Sequence, residues 1–151
     1  MKHLVTVAVL VLTFSAEAQE APTPSTVIGA GQIGRAFDTV GTVTGEIQRK
    51  DFPIYTGTPT YLDQWVRTIE RSQSGFRFFD NSRLNVGPNA RVKIDRTKYD
   101  PARAYGSSLR ASRGSFRFKS ASGWAVRTPY ATLRTTPGTI IEAVVQRKPN
   151  L

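Results

Sequence analysis

The chain has 151 residues, no cysteine, a single histidine at position 3 and a formal charge of +10, from 21 Lys and Arg against 11 Asp and Glu. With no Cys, and with its only His at the extreme N-terminus, it lacks the side chains for a Ser-His-Asp triad, a cysteine nucleophile or an ordinary zinc site. An enzyme is therefore not expected, nor is any catalytic, cofactor-binding or metal-binding residue.

Taken in chain order, Lys2 and His3 precede an apolar run over residues 4–14, and Ala16-Glu17-Ala18 supplies small residues for signal-peptidase cleavage. The run is about half the ~20 residues that span a bilayer. Residues 1–18 thus read as a secretory signal peptide, with no transmembrane segment in the cleaved product and a periplasmic or secreted location. Outside the cytoplasm, the partners for so basic a chain are an envelope protein or an anionic glycan, not nucleic acid. The proline-rich stretch 19–26 opens a flexible leader and junction over 19–39, and short helices are conceivable only over 32–39 and 61–66. Gly29-Ala30-Gly31-Gln32-Ile33-Gly34 matches the dinucleotide fingerprint, with Glu46 and Asp51 near the place for a ribose acid. The motif needs a strand before it and a crossover helix after it, and neither is expected here, so it reads as a junction.

From residue 40 the pattern has period two. Phe76 and Phe78, Leu84 and Val86, Val92 and Ile94, Phe116 and Phe118, Trp124 and Val126, and then Ile141, Ala143 and Val145 alternate with other residues. Turn chemistry separates the runs at Asp80-Asn81-Ser82, Gly87-Pro88-Asn89, Asp100-Pro101 and Ser122-Gly123. The reading is an all-β domain of short antiparallel strands over residues 40–146, a sandwich or a solenoid-like stack, with a tail at 147–151. Apolar positions facing inward put Arg77, Arg83, Arg91, Lys93, Arg117, Lys119 and Arg127 outward on strands expected to lie close together. That basic face is either a solvated surface that discourages edge pairing or a partner-binding site. Phe79 shares the outward parity and should be exposed or at a bend. Asp80 with Ser82, and Asp95 with Asp100, invite a cation reading, but Asp in a turn more often caps its own backbone. Asp63 and Glu70 are the carboxylates one would consider for a glycosidase pair.

The ordered series Gly41-Thr42-Val43-Thr44-Gly45, Val66-Arg67-Thr68, residues 76–84 with Asp80, Ser82 and Leu84, Gly87-Pro88-Asn89-Ala90, Ile94-Asp95-Arg96 and Tyr99-Asp100-Pro101 resembles the FecR-type domain of bacterial envelope signalling systems. Gly114-Ser115-Phe116-Arg117-Phe118, Thr128-Pro129-Tyr130-Ala131-Thr132 and Gly138-Thr139 continue the likeness to residue 139. The resemblance implies a non-enzymatic signalling module that binds another protein, with these signature residues serving the fold. The best-known members add a membrane helix and a cytoplasmic segment that acts on a sigma factor. This sequence shows neither, so direct sigma-factor control is not expected. The stop at Leu151 is expected to leave an open sheet edge near residues 140–145.

Overall fold

The computed structural model describes residues 31–97 and 107–146. The expected signal peptide, most of the leader, Tyr99, Asp100 and the tail lie outside the described residues. Within them the chain is all-β, with twelve strands and no helix. These are β1 (Gln32–Val40), β2 (Val43–Ile47), β3 (Lys50–Pro53), β4 (Pro59–Tyr61), β5 (Trp65–Thr68) and β6 (Gln73–Phe78). They are followed by β7 (Arg83–Val86), β8 (Arg91–Thr97), β9 (Ser107–Lys119), β10 (Trp124–Arg127), β11 (Thr132–Arg134) and β12 (Ile140–Val145).

The short strands are halves of longer ones. β1 and β2 run on from each other beside β6 and β5, which lie beside β7 and β8, and both of these line the continuous β9. The result is one antiparallel meander bent across a common line and closed over itself. Its front leaf has the order β4-β1-β6-β7-β9-β12, and its back leaf β3-β2-β5-β8-β9-β10-β11. Of the two arrangements the sequence left open, this is the sandwich-like one. The β9–β10 pair is parallel and every other described pair is antiparallel.

The crease is written in the backbone. Each long strand carries a left-handed residue where it bends: Gly41 (φ 73), Arg71 (φ 56), Asn89 (φ 51) and Gly114 (φ 85). A left-handed residue interrupts the pleat and re-aims the strand. At Gly114 glycine is also required by space, because a Cβ there would sit 2.8 Å from the Ala90 nitrogen. Ladder hydrogen bonds fail at such a bend, and buried hydroxyls replace them. The Thr68 hydroxyl donates to the Gly87 carbonyl (2.6 Å) and accepts from the Ala90 amide (2.9 Å). Ser72 Oγ accepts from the Thr42 amide (2.9 Å).

The core fills the space between the leaves. The front leaf contributes Ala36, Phe76, Phe78, Leu84, Val86, Phe116 and Phe118, and the back leaf Val43, Val66, Val92, Ile94, Leu109, Trp124 and Val126. Trp124 reaches across, its ring 5.0 Å from both Phe78 and Phe118. Each fully buried large side chain contributes roughly 1.5–3 kcal/mol. The inward parity read for β6, β7, β8, β9 and β10 holds, and Phe79 is 67 % exposed.

Two expectations are corrected. Residues 32–39 are not a flexible junction or a helix but β1, which pairs with both β4 and β6. Its inward positions are Gly34 and Ala36, and Gly34 must be small because a Cβ there would lie 3.0 Å from the Phe78 Cα on β6. Small inward residues, with Phe37 on the outer side, erase the alternation that marks a strand. Residues 61–66 are not helical either. Tyr61 ends β4, Asp63 turns at φ 59, and the buried Gln64 accepts the Tyr61 amide through Oε1 (3.0 Å) before β5 begins.

Candidate basic face and the placement of the signature residues

The crease divides the seven basic residues that sequence parity grouped together. Arg77, Arg83, Arg117 and Lys119 stand on the outer surface of the front leaf, whereas Arg91, Lys93 and Arg127 stand on that of the back leaf. Parity survives a bend, but the direction in which outward points does not. The expectation of one shared face is therefore replaced by two unequal surfaces.

On the front leaf the register sets four cations side by side on adjacent strands. Arg35 of β1 is opposite Arg77 of β6, Arg77 is opposite Arg83 of β7, and Arg83 is opposite Lys119 of β9. With strands about 4.8 Å apart, the row spans roughly 14 Å. None of the four makes an ion pair among the described residues. Arg35 donates to the Gly57 carbonyl (3.1 Å), and the Arg77 guanidinium lies 5.9 Å from the Phe37 ring centre. Like charges directly opposite destabilise a sheet by some tenths of a kcal/mol per pair. The exposed Phe79 shares the outward parity of Arg77 beside this row.

The next row on the same face runs Phe37, Gly75, Asn85, Arg117 and Glu142. Here Arg117 is compensated, with Nε 2.9 Å from the Glu142 carboxylate. Towards the crease the surface sinks into an open depression of about 590 Å³, bordered by Asp38, Gln73, Gly75, Asn85, Ser115 and Arg117. Arg35 was missed by sequence reasoning because its strand was not recognised. Its signal, Arg between Gly34 and Ala36, is legible only once those small residues are known to face a neighbouring strand.

The back leaf is different. Arg67 pairs with Asp51 (2.6 Å), Lys93 lies 3.6 Å from Asp95 and 3.9 Å from Asp63, and Arg110 bonds Asp95 (3.0 Å). Arg91 stacks 4.2 Å from the centre of the Trp65 ring. Three of this leaf's cations are thus paired with carboxylates and a fourth is stacked on a ring.

The signature residues lie in the core, the turns and the crease. Asp80 organises the largest cluster. Its carboxylate accepts the Ser82 amide (2.8 Å) and hydroxyl (2.9 Å), the Ser122 hydroxyl (2.6 Å) and the Trp124 indole N–H (2.7 Å). Burial pushes its pKa up, but these bonds outweigh burial and hold the carboxyl below the ordinary aspartate range. Ser82 Oγ in turn accepts the Ala121 amide (2.9 Å), so the β6–β7 turn is riveted to the β9–β10 loop. Leu84, Phe116 and Phe118 are core. Gly87 and Gly114 sit at the crease, with Pro88 exposed in the turn between β7 and β8. The Thr128 hydroxyl accepts the Ala131 amide (3.0 Å) across the turn that holds the exposed Pro129. Gly138 donates to the Ser120 carbonyl and the Thr139 carbonyl accepts the Ser120 amide (2.8 and 2.9 Å), fixing the entry to β12.

The carboxylates considered for other chemistry are spoken for or far apart. Asp63 and Glu70 lie beyond opposite ends of β5, and Asp63 instead faces Lys93 (3.9 Å). Asp95 is held by Arg110 and Lys93. Among the described residues no three acids or other ligating side chains cluster as a metal site. No family model, no curated protein and no solved structure matches this chain.

Proposed function

We propose that this chain is a non-enzymatic, exported interaction module that docks an acidic partner protein on the outer surface of its front leaf. The observation that carries the reading is the uncompensated row Arg35, Arg77, Arg83 and Lys119. A row of opposed like charges works against the sheet, and an acidic partner would answer it while steering encounter. Aromatic residues and Arg are enriched in protein interfaces, and the exposed Phe79 stands beside the row. The absence of Cys and of any His beyond His3 supports the non-enzymatic part, and Ala16-Glu17-Ala18 supports export. The likeness to FecR-type domains in motif order supports an envelope signalling setting. A second reading, an anionic glycan, is favoured by the depression beside the row, where Gln73 and Asn85 offer amides to sugar hydroxyls.

The test is crosslinking capture from the cell envelope by wild type and by the triple variant Arg77→Glu, Arg83→Glu, Lys119→Glu. The triple variant should keep its far-UV β spectrum and lose capture, with the wild-type yield falling as salt rises. Equal capture by both proteins overturns the reading. Elution by soluble polygalacturonate from a protein-free envelope fraction would select the glycan instead. For export, N-terminal sequencing of secreted material should begin at Gln19.

A further inference from the structure

The back leaf holds a second concavity, of about 520 Å³, whose lining includes Asp95, Ser108, Arg110, Ala125, Arg127, Thr132 and Arg134. The parallel β9–β10 pairing places Ala125 opposite Ser108 and Arg127 opposite Arg110, and the β10–β11 pairing places Arg134 opposite Ala125 and Thr132 opposite Arg127. Two small side chains on adjacent strands, Ser108 of β9 and Ala125 of β10, thus form the floor, and three guanidinium-bearing chains surround it. The hollow exists because the parallel register aligns those small residues.

Its charge is one-sided. Among the described residues Asp95 is the one carboxylate in the lining, and it is already engaged by Arg110 (3.0 Å) and Lys93 (3.6 Å). Arg127 and Arg134 make no ion pair among the described residues. Ser108 donates its hydroxyl to the Asp95 carbonyl (2.8 Å), which leaves the Arg127 and Arg134 forks as the charged donors of the lining without a carboxylate partner among the described residues. A planar fork of N–H groups matches the oxygens of a phosphate, and two of them from adjacent strands can hold one group from two sides. The volume lies within the 300–1,000 Å³ typical of ligand sites, and exceeds what a bare phosphate needs.

We infer that this hollow binds a phosphate group carried on a polar moiety such as a sugar, with Arg127 and Arg134 clamping the phosphate and Arg110 held at its edge by Asp95. The site lies on the opposite leaf from the proposed docking row and stands independently of it.

The experiment is a titration of the full mature protein, followed by calorimetry and by amide shifts of β10 and β11. The probes are inorganic phosphate, glucose 1-phosphate, uncharged glucose and vesicles with and without phosphatidylglycerol. Glucose 1-phosphate should bind saturably and more tightly than inorganic phosphate, while glucose should not bind. Arg127→Gln with Arg134→Gln should weaken it at least about tenfold, equivalent to about 1.4 kcal/mol. The front-leaf triple variant should bind it as wild type does. Vesicle retention that needs phosphatidylglycerol and is lost in the Arg127/Arg134 variant identifies a lipid headgroup as the source, whereas glucose 1-phosphate binding without such retention identifies a soluble one. Absence of saturable binding by every phosphate probe overturns the inference. So does binding that only the front-leaf substitutions reduce.

Discussion

Asp80 shows how one side chain can join distant segments, accepting from Ser82 in its own turn and from Trp124, 44 residues away. Because its folded pKa lies below the ordinary value, its contribution is fully present above about pH 4 and is lost as the pH falls through the depressed value. Asp80→Ala should cost roughly 2–4 kcal/mol by chemical denaturation, since it strands several partly buried donors. Asp80→Asn should remove that acid-sensitive component, giving a flatter stability profile below pH 4 than wild type. A profile parallel to wild type would show that the carboxylate is not the titrating anchor. Core positions give the simplest contrast: Phe118→Ala should cost about 3–5 kcal/mol, and the neighbouring Lys119→Ala no more than about 0.5 kcal/mol. The turn role of Asp80 and Ser82 was legible from Asp-Asn-Ser between two alternating runs. Their reach to Ser122 and Trp124 was not, because a sequence does not reveal which turns the closed sheet brings together.

Among elements, the crease matters more than any single strand. Thr68 spans it with one hydroxyl that both donates and accepts, so Thr68→Val leaves the Gly87 carbonyl and the Ala90 amide without their partner. A loss of roughly 1–3 kcal/mol is expected in thermal or denaturant unfolding, with a Thr68→Ser variant retaining most of the stability. The basic row makes the opposite kind of prediction. Arg83 has Arg77 on one side and Lys119 on the other, so Arg83→Glu should stabilise the free protein by some 0.2–1 kcal/mol even as it weakens docking. If Arg83→Glu destabilises instead, the four cations do not repel one another as their register implies. Strands with large inward residues, such as β6 and the second half of β9, were legible from period two. β1 was hidden because its inward positions are Gly34 and Ala36. The bends were visible only as isolated Gly and Asn residues, and nothing in their spacing announces that they align.

For the whole molecule, folding one meander over itself turns a single polarity of strands into two surfaces of different character. The front surface carries an unanswered row, and the back surface carries ion pairs together with a hollow bordered by the unpaired Arg127 and Arg134. Sequence parity identified the outward cations but could not assign them to a leaf, since that depends on where each strand crosses the crease. β9 also has a consequence in time. It alone pairs with β7, β8, β10 and β12. As the chain emerges from a ribosome or a translocation pore, β1 to β8 can pair among themselves, yet β7 and β8 present bare edges until residues 107–119 arrive. Those edges expose backbone groups and the core-facing Leu84, Val86, Val92 and Ile94 to any other strand nearby. A nascent chain arrested before residue 107 should therefore be protease-sensitive and prone to associate, while one extended past 119 should gain protection in all eight earlier strands at once. The long strand acts as the closing stitch, and the molecule has no stable half.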